Sequence, residues 1–76
     1  MIFETIRALL AEQLGFEESE ITNKAFLSDD LQAQESDLQE IMILLEQEYE
    51  LEWTDEDLHH METVRDLVSF IENQVL

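Results

Sequence analysis

Residues 36–50, SDLQEIMILLEQEYE, decide how the chain is read. At about 100° per residue, Leu38, Ile41, Met42, Leu45 and Tyr49 fall on one stripe of a helix. Ser36, Glu40, Ile43 and Gln47 fall on the opposite face. The spacing predicts a helix over about 36–50, packed on one side and acidic on the other. Ile43 breaks the pattern, because it is apolar and points outward among carboxylates. A lone exposed apolar side chain is ordinary; on a helix this acidic it is a candidate anchor for a partner. Ser36-Asp37-Leu38-Gln39 also fits the capping-box pattern, with the serine hydroxyl serving backbone N–H groups and Gln39 reaching back. Such a cap is worth about 1 kcal/mol.

Upstream, Ile2, Ile6, Leu9, Leu10 and Leu14 recur at helical spacing and predict a first helix over about 2–14. Gly15 supplies a left-handed stop, after which Phe16 can fold back on the last turn. A long connection follows, roughly 17–34, with its own apolar residues Ile21, Phe26, Leu27 and Leu31. A loop of this length in a small domain is expected to be packed or functional. These four residues should pin it across the bundle, with one helical turn around Ser28–Leu31. Downstream, Thr54 or Asp55 can cap a short third helix, about 55–60. Thr63 with Asp66 forms a weaker capping box for a last helix, in which Val64, Leu67, Val68, Ile71 and Val75 repeat at helical spacing. Trp53, in the turn before the third helix, reads as a packing residue over the end of the bundle, or as one lining its interior.

Seventy-six residues are expected to form a single domain, 1–76, around one core. Cysteine is absent, which excludes disulfide staples and thiolate metal sites. With 45% apolar residues and no proline, the composition is that of packed helices rather than of a disordered tail. Twenty acidic residues face three basic ones, Arg7, Lys24 and Arg65, for a formal net charge of −17. Such a surface repels nucleic acid and anionic membranes and steers cationic partners toward it. The opening stretch is interrupted by Glu4, Arg7 and Glu12, so neither a signal peptide nor a membrane span is expected there. A cytoplasmic monomer is the expectation.

Three stretches, AEQLGFEESEITNKAFLSDDL (11–31), EIMILLEQEYELEWTDEDL (40–58) and ETVRDLVSFIE (62–72), carry a resemblance to acyl carrier proteins that runs the length of the chain. The resemblance implies an all-α fold, a small four-helix bundle of acyl carrier protein type with a long loop between helices 1 and 2 and a short third helix. It implies 4'-phosphopantetheine on a serine at the start of the second helix, within an Asp-Ser-Leu motif, holding an acyl group as a thioester. It also implies docking of enzymes on the acidic second helix through Lys and Arg patches. Carried over, Ser36 is the attachment residue. Glu35, Asp37, Glu40, Glu46 and Glu48 supply the docking acid, and Ile43 the apolar contact. The implied partners are basic-surfaced enzymes of fatty acid, polyketide or related biosynthesis and a phosphopantetheinyl transferase.

The chain departs from the pattern at the attachment site. In the family, Asp-Leu of the loop is followed by Gly and, after two more residues, by the serine. Here Asp30-Leu31 is followed by Gln32, Ala33, Gln34 and Glu35. A gapless overlay therefore puts Glu35 at the modified position, with Glu40 matching the family's helix glutamate five residues on. Ser36 comes one place late, about 100° around the helix and about 1.5 Å along it. Asp37 follows where the family has Leu. A displacement of that order can cost about a hundredfold in rate for an enzyme that must align with the hydroxyl.

The other constellations offer less. His59 and His60 are neighbours on a helix, so their rings diverge, and ligands at zinc spacing are missing. Asp55-Glu56-Asp57 lacks the alternation and central Gly of a calcium loop. No motif sets a histidine beside Ser19, Ser28, Ser36 or Ser69, so catalytic activity is not expected. Two main readings remain. The expected one is a carrier with phosphopantetheine on Ser36. The other is an acyl-carrier-like adaptor or regulatory subunit that lacks the arm and keeps the docking surface. An acidic mimic of nucleic acid explains the charge but not the three matching stretches.

Overall fold

A computed structural model describes residues 2–75. The apolar stripes become four α-helices: α1 (Ile2–Leu14), α2 (Glu35–Tyr49), α3 (Asp55–His59) and α4 (Val64–Val75). A single 3₁₀ turn at Glu18–Glu20 interrupts the long connection. Each helix packs the face its sequence predicts. Ile6 and Leu10 of α1, Ile41, Met42 and Leu45 of α2, Leu58 of α3, and Val64, Leu67 and Ile71 of α4 meet in one buried cluster.

The helix ends follow from local chemistry. Gly15 adopts φ +79°, and the N–H groups of Gly15 and Phe16 both donate to the Ala11 carbonyl at 3.0 and 3.1 Å. This closes α1 with a left-handed turn, and Phe16 packs back on the core as expected. Thr54, rather than Asp55, caps α3: its Oγ1 accepts from the Asp57 N–H at 3.2 Å, while the Asp57 carboxylate accepts from the Thr54 N–H at 2.9 Å. The same reciprocal pair recurs at α4 between Thr63 and Asp66, at 3.1 and 3.0 Å.

The start of α2 differs from the sequence expectation. Ser36 is not the cap, and Gln39 does not reach back. Gln34 is the capping residue, and the Asp37 carboxylate accepts its N–H at 2.9 Å. A short anionic acceptor three residues past Gln34 is a better partner for that N–H than a neutral amide, and it also sits favourably at the positive end of the helix. The helix consequently starts at Glu35, leaving Ser36 as its second residue.

The long connection is stitched to the start of α4. The Leu27 N–H donates to the Glu62 carbonyl at 2.8 Å, Val64 to Ala25 at 3.0 Å and Arg65 to Asn23 at 3.0 Å. Ile21, Leu27 and Leu31 are buried, so the loop contributes to the core as expected. Asp30 and Leu31 both donate to the Phe26 carbonyl, forming the turn expected near Ser28–Leu31. Phe26 itself is a correction. It was expected to pack, yet it is 43% exposed. The segment is extended where Phe26 bridges Thr63, so side chains alternate, and Ala25 and Leu27 take the inward positions. Val75 is likewise exposed, in the last turn of α4 beyond the core residue Ile71.

Candidate functional site

Helix α2 carries the candidate site. Its inner face is held by Ile41, Met42 and Leu45, all essentially buried. The outer face is thereby fixed, and Ile43 stands out from it at 49% exposure. Ser36, Glu40, Gln47 and Glu50 lie within about 60° of Ile43 around the helix axis, and all four are exposed. The Ser36 hydroxyl makes no hydrogen bond among the described residues, so it is free to react or to solvate.

Only part of the acidic set shares that face. Glu46 and Glu35 flank it on one side, at about 60° and 80° from Ile43. Glu46 accepts a hydrogen bond from the Trp53 indole Nε1. Glu35 Oε2 lies 3.5 Å from His59 Nε2, and both side chains are well exposed. Asp37 and Glu48 point elsewhere, about 120° and 140° from Ile43. Asp37 is half-buried and occupied as the helix cap. Glu48 faces α1, across an open groove of about 280 Å³ lined by Thr5, Ala8, Leu9, Glu12, Leu44 and Leu45.

Arg7 finds its side-chain partners on α1 and the long connection. The Arg7 guanidinium lies 5.2 Å from the centre of the Phe3 ring and 3.5 Å from Glu18. Lys24 adjoins Asn23, whose carbonyl accepts the Arg65 N–H, so both remaining cations sit on the seam between the loop and α4. A cationic ligand approaching the outer face of α2 meets Glu40 exposed, with Glu35 beside His59 and Glu46 bonded to Trp53.

Three contacts were not legible in the sequence: Glu35 with His59, Glu46 with Trp53, and the α1–α2 groove. Each joins residues on different elements, and helical periodicity reports only the face a residue takes on its own helix. Trp53 is half-buried against the core, matching the packing role expected of it, and its indole N–H is satisfied from α2.

Titration adds one fact, away from α2. Backbone N–H donation from Thr63, and then from Glu62, holds the Asp66 carboxyl below its ordinary value of 3.8. Among the described residues no group of three or more His, Asp and Glu is arranged to hold a metal ion. No helix there is long and apolar enough to cross a membrane. No model of a known protein family matches the sequence.

Proposed function

We propose that the chain is an acyl-carrier-like adaptor: a docking module that presents the acidic outer face of α2, with Ile43 at its centre, to basic-surfaced biosynthetic enzymes. In this reading it lacks the phosphopantetheine arm. The observation that carries the reading is the register at the start of α2. Gln32, at the place of the family's Gly, has φ +56°, a left-handed conformation for which Gly is the ordinary choice. A chain that keeps the backbone turn after losing the glycine supports the gapless overlay. Three residues on, Glu35 is the first residue of α2 and takes the serine's place. Its carboxylate faces His59 and offers no nucleophile for a phosphopantetheinyl transfer.

The carrier reading with phosphopantetheine on Ser36 has one observation in its favour, the exposed and unpartnered hydroxyl. The neighbourhood fits the arm less well. Its phosphodiester would add negative charge between Glu35 and Asp37, and the hydroxyl is offset by one helical position.

The deciding experiment is the intact mass after incubation with a broad-specificity phosphopantetheinyl transferase and coenzyme A. The adaptor reading expects no gain for the native chain. It expects a gain of one phosphopantetheine when Gln34→Asp, Glu35→Ser and Ser36→Leu together restore the family motif in register. A gain on the native chain that Ser36→Ala abolishes would overturn the adaptor reading in favour of the carrier.

A further inference from the structure

We propose that the groove between α1 and α2 is a second docking site, which takes a cationic amphipathic helix from a partner protein. The proposal does not depend on the presence or absence of an arm. On α1, Thr5, Ala8, Leu9 and Glu12 follow one another at i, i+3, i+4 and i+7, and on α2 Leu44 and Glu48 run alongside. The floor is apolar. Leu9 and Leu44 are half-buried, Leu9 packed against the core, and Ala8 is exposed. A small residue at that point lets another backbone approach closely. Glu12 and Glu48 stand at the rim, exposed and without an ion pair or hydrogen bond among the described residues.

A groove with leucines in its floor and one helix on either side suits a helix whose anchors recur at i, i+3, i+4 and i+7. The charge of the rim, within a chain of formal charge −17, selects the chemistry of the occupant. Lys or Arg flanking the anchors would meet Glu12 and Glu48, whereas a second copy of this chain would bring the same repulsive surface. The site is distinct from the outer face of α2. Leu44 and Glu48 lie about 100° and 140° around the helix from Ile43.

The test uses a synthetic helical peptide with Leu at i, i+3, i+4 and i+7 and Lys elsewhere, and a control in which Ser replaces each Leu. Binding is followed by fluorescence anisotropy and mapped by backbone amide shifts. The expected result is that shifts concentrate on Thr5, Ala8, Leu9 and Leu44, and that the Ser control binds at least about tenfold more weakly. Leu44→Lys should weaken binding by a similar factor, and Ile43→Glu should change it by less than about twofold. Glu12→Gln with Glu48→Gln, both exposed and harmless to the core, should weaken binding and flatten its salt dependence. Equal binding of the two peptides, shifts centred on Glu40 and Ile43, or indifference to the paired Gln substitutions would each overturn the proposal.

Discussion

Replacing Glu50 by glycine is expected to stabilise the protein by about 1 kcal/mol. Glu50 ends α2 with φ 56° and ψ 52°, and its N–H donates to the Glu46 carbonyl at 2.8 Å. This is the left-handed helix stop that normally belongs to glycine, as it does at Gly15. A side chain in that conformation costs about 1–2 kcal/mol. Glycine removes that cost but frees the unfolded chain, which returns about 0.5–1 kcal/mol. The charge contributes separately. A carboxylate at the negative end of a helix, near Glu46, Glu48 and Glu52, is unfavourable by about 0.3–1 kcal/mol at low salt. Glu50→Ala removes the charge and keeps the strain, whereas Glu50→Gly removes both. Urea melts followed by circular dichroism should rank glycine above alanine above the native residue. The thermal midpoint of the glycine variant should rise by about 4–8 °C per kcal/mol. If glycine were no more stabilising than alanine, the strain at Glu50 would not exceed the entropy that glycine returns to the unfolded chain, and the argument from φ would fail.

Leu27→Ala should cost about 2–5 kcal/mol, because Leu27 is fully buried and its loop is part of the core; a loss under about 1 kcal/mol would make the long connection peripheral. Thermal midpoints should climb with added salt, since the screening length shrinks from about 30 Å at 0.01 M to about 3 Å at 1 M; a flat response would mean that the acidic surface is not self-repelling. The Asp66 carboxyl is held below its ordinary value, so its contribution to stability is complete above the unfolded value and disappears as pH falls through the folded one. Asp66→Asn should therefore be less stable than the native protein at neutral pH, by a few tenths to about 1 kcal/mol at this exposed site. The gap should close in acid, and a gap that widened as pH fell would reverse the assignment.

Much of the fold could be read from the sequence because its signals are local. The α1 boundaries, the Gly15 stop, the Thr63–Asp66 box and the buried stripes each depend on residues within a few positions of one another. Ser36 and Phe26 were misjudged for opposite reasons. At Ser36 two local capping patterns overlapped by two residues, and the stronger anionic acceptor, Asp37, prevailed. At Phe26 the outcome was non-local. The extended bridge to Thr63 set the alternation, and hydrophobicity alone could not say which of Phe26 and Leu27 would face inward. The candidate site divides in the same way. The outward position of Ile43 and the angles of the acidic set around α2 followed from periodicity, but the contacts that engage Glu46 with Trp53 and Glu35 with His59 join separate elements and did not.

The spread of the acidic set around α2 makes the two proposed surfaces separable with one native reporter. The Trp53 indole is bonded to Glu46, which lies about 60° from Ile43 but about 160° from Glu48 around α2. A basic ligand on the outer face competes for the Glu46 carboxylate and changes the polarity around the indole, so Trp53 emission should shift as that face fills. A helix seated in the groove touches α1 and the far side of α2 and should leave the emission unchanged. Glu46→Gln keeps an acceptor for the indole but removes the charge that draws the competitor, so it should diminish the response to an outer-face ligand. If a ligand whose amide shifts map to Leu9 and Leu44 moved Trp53 emission as strongly as one mapping to Glu40 and Ile43, the two faces would be coupled through the bundle, and α2 would have to be treated as a single binding surface.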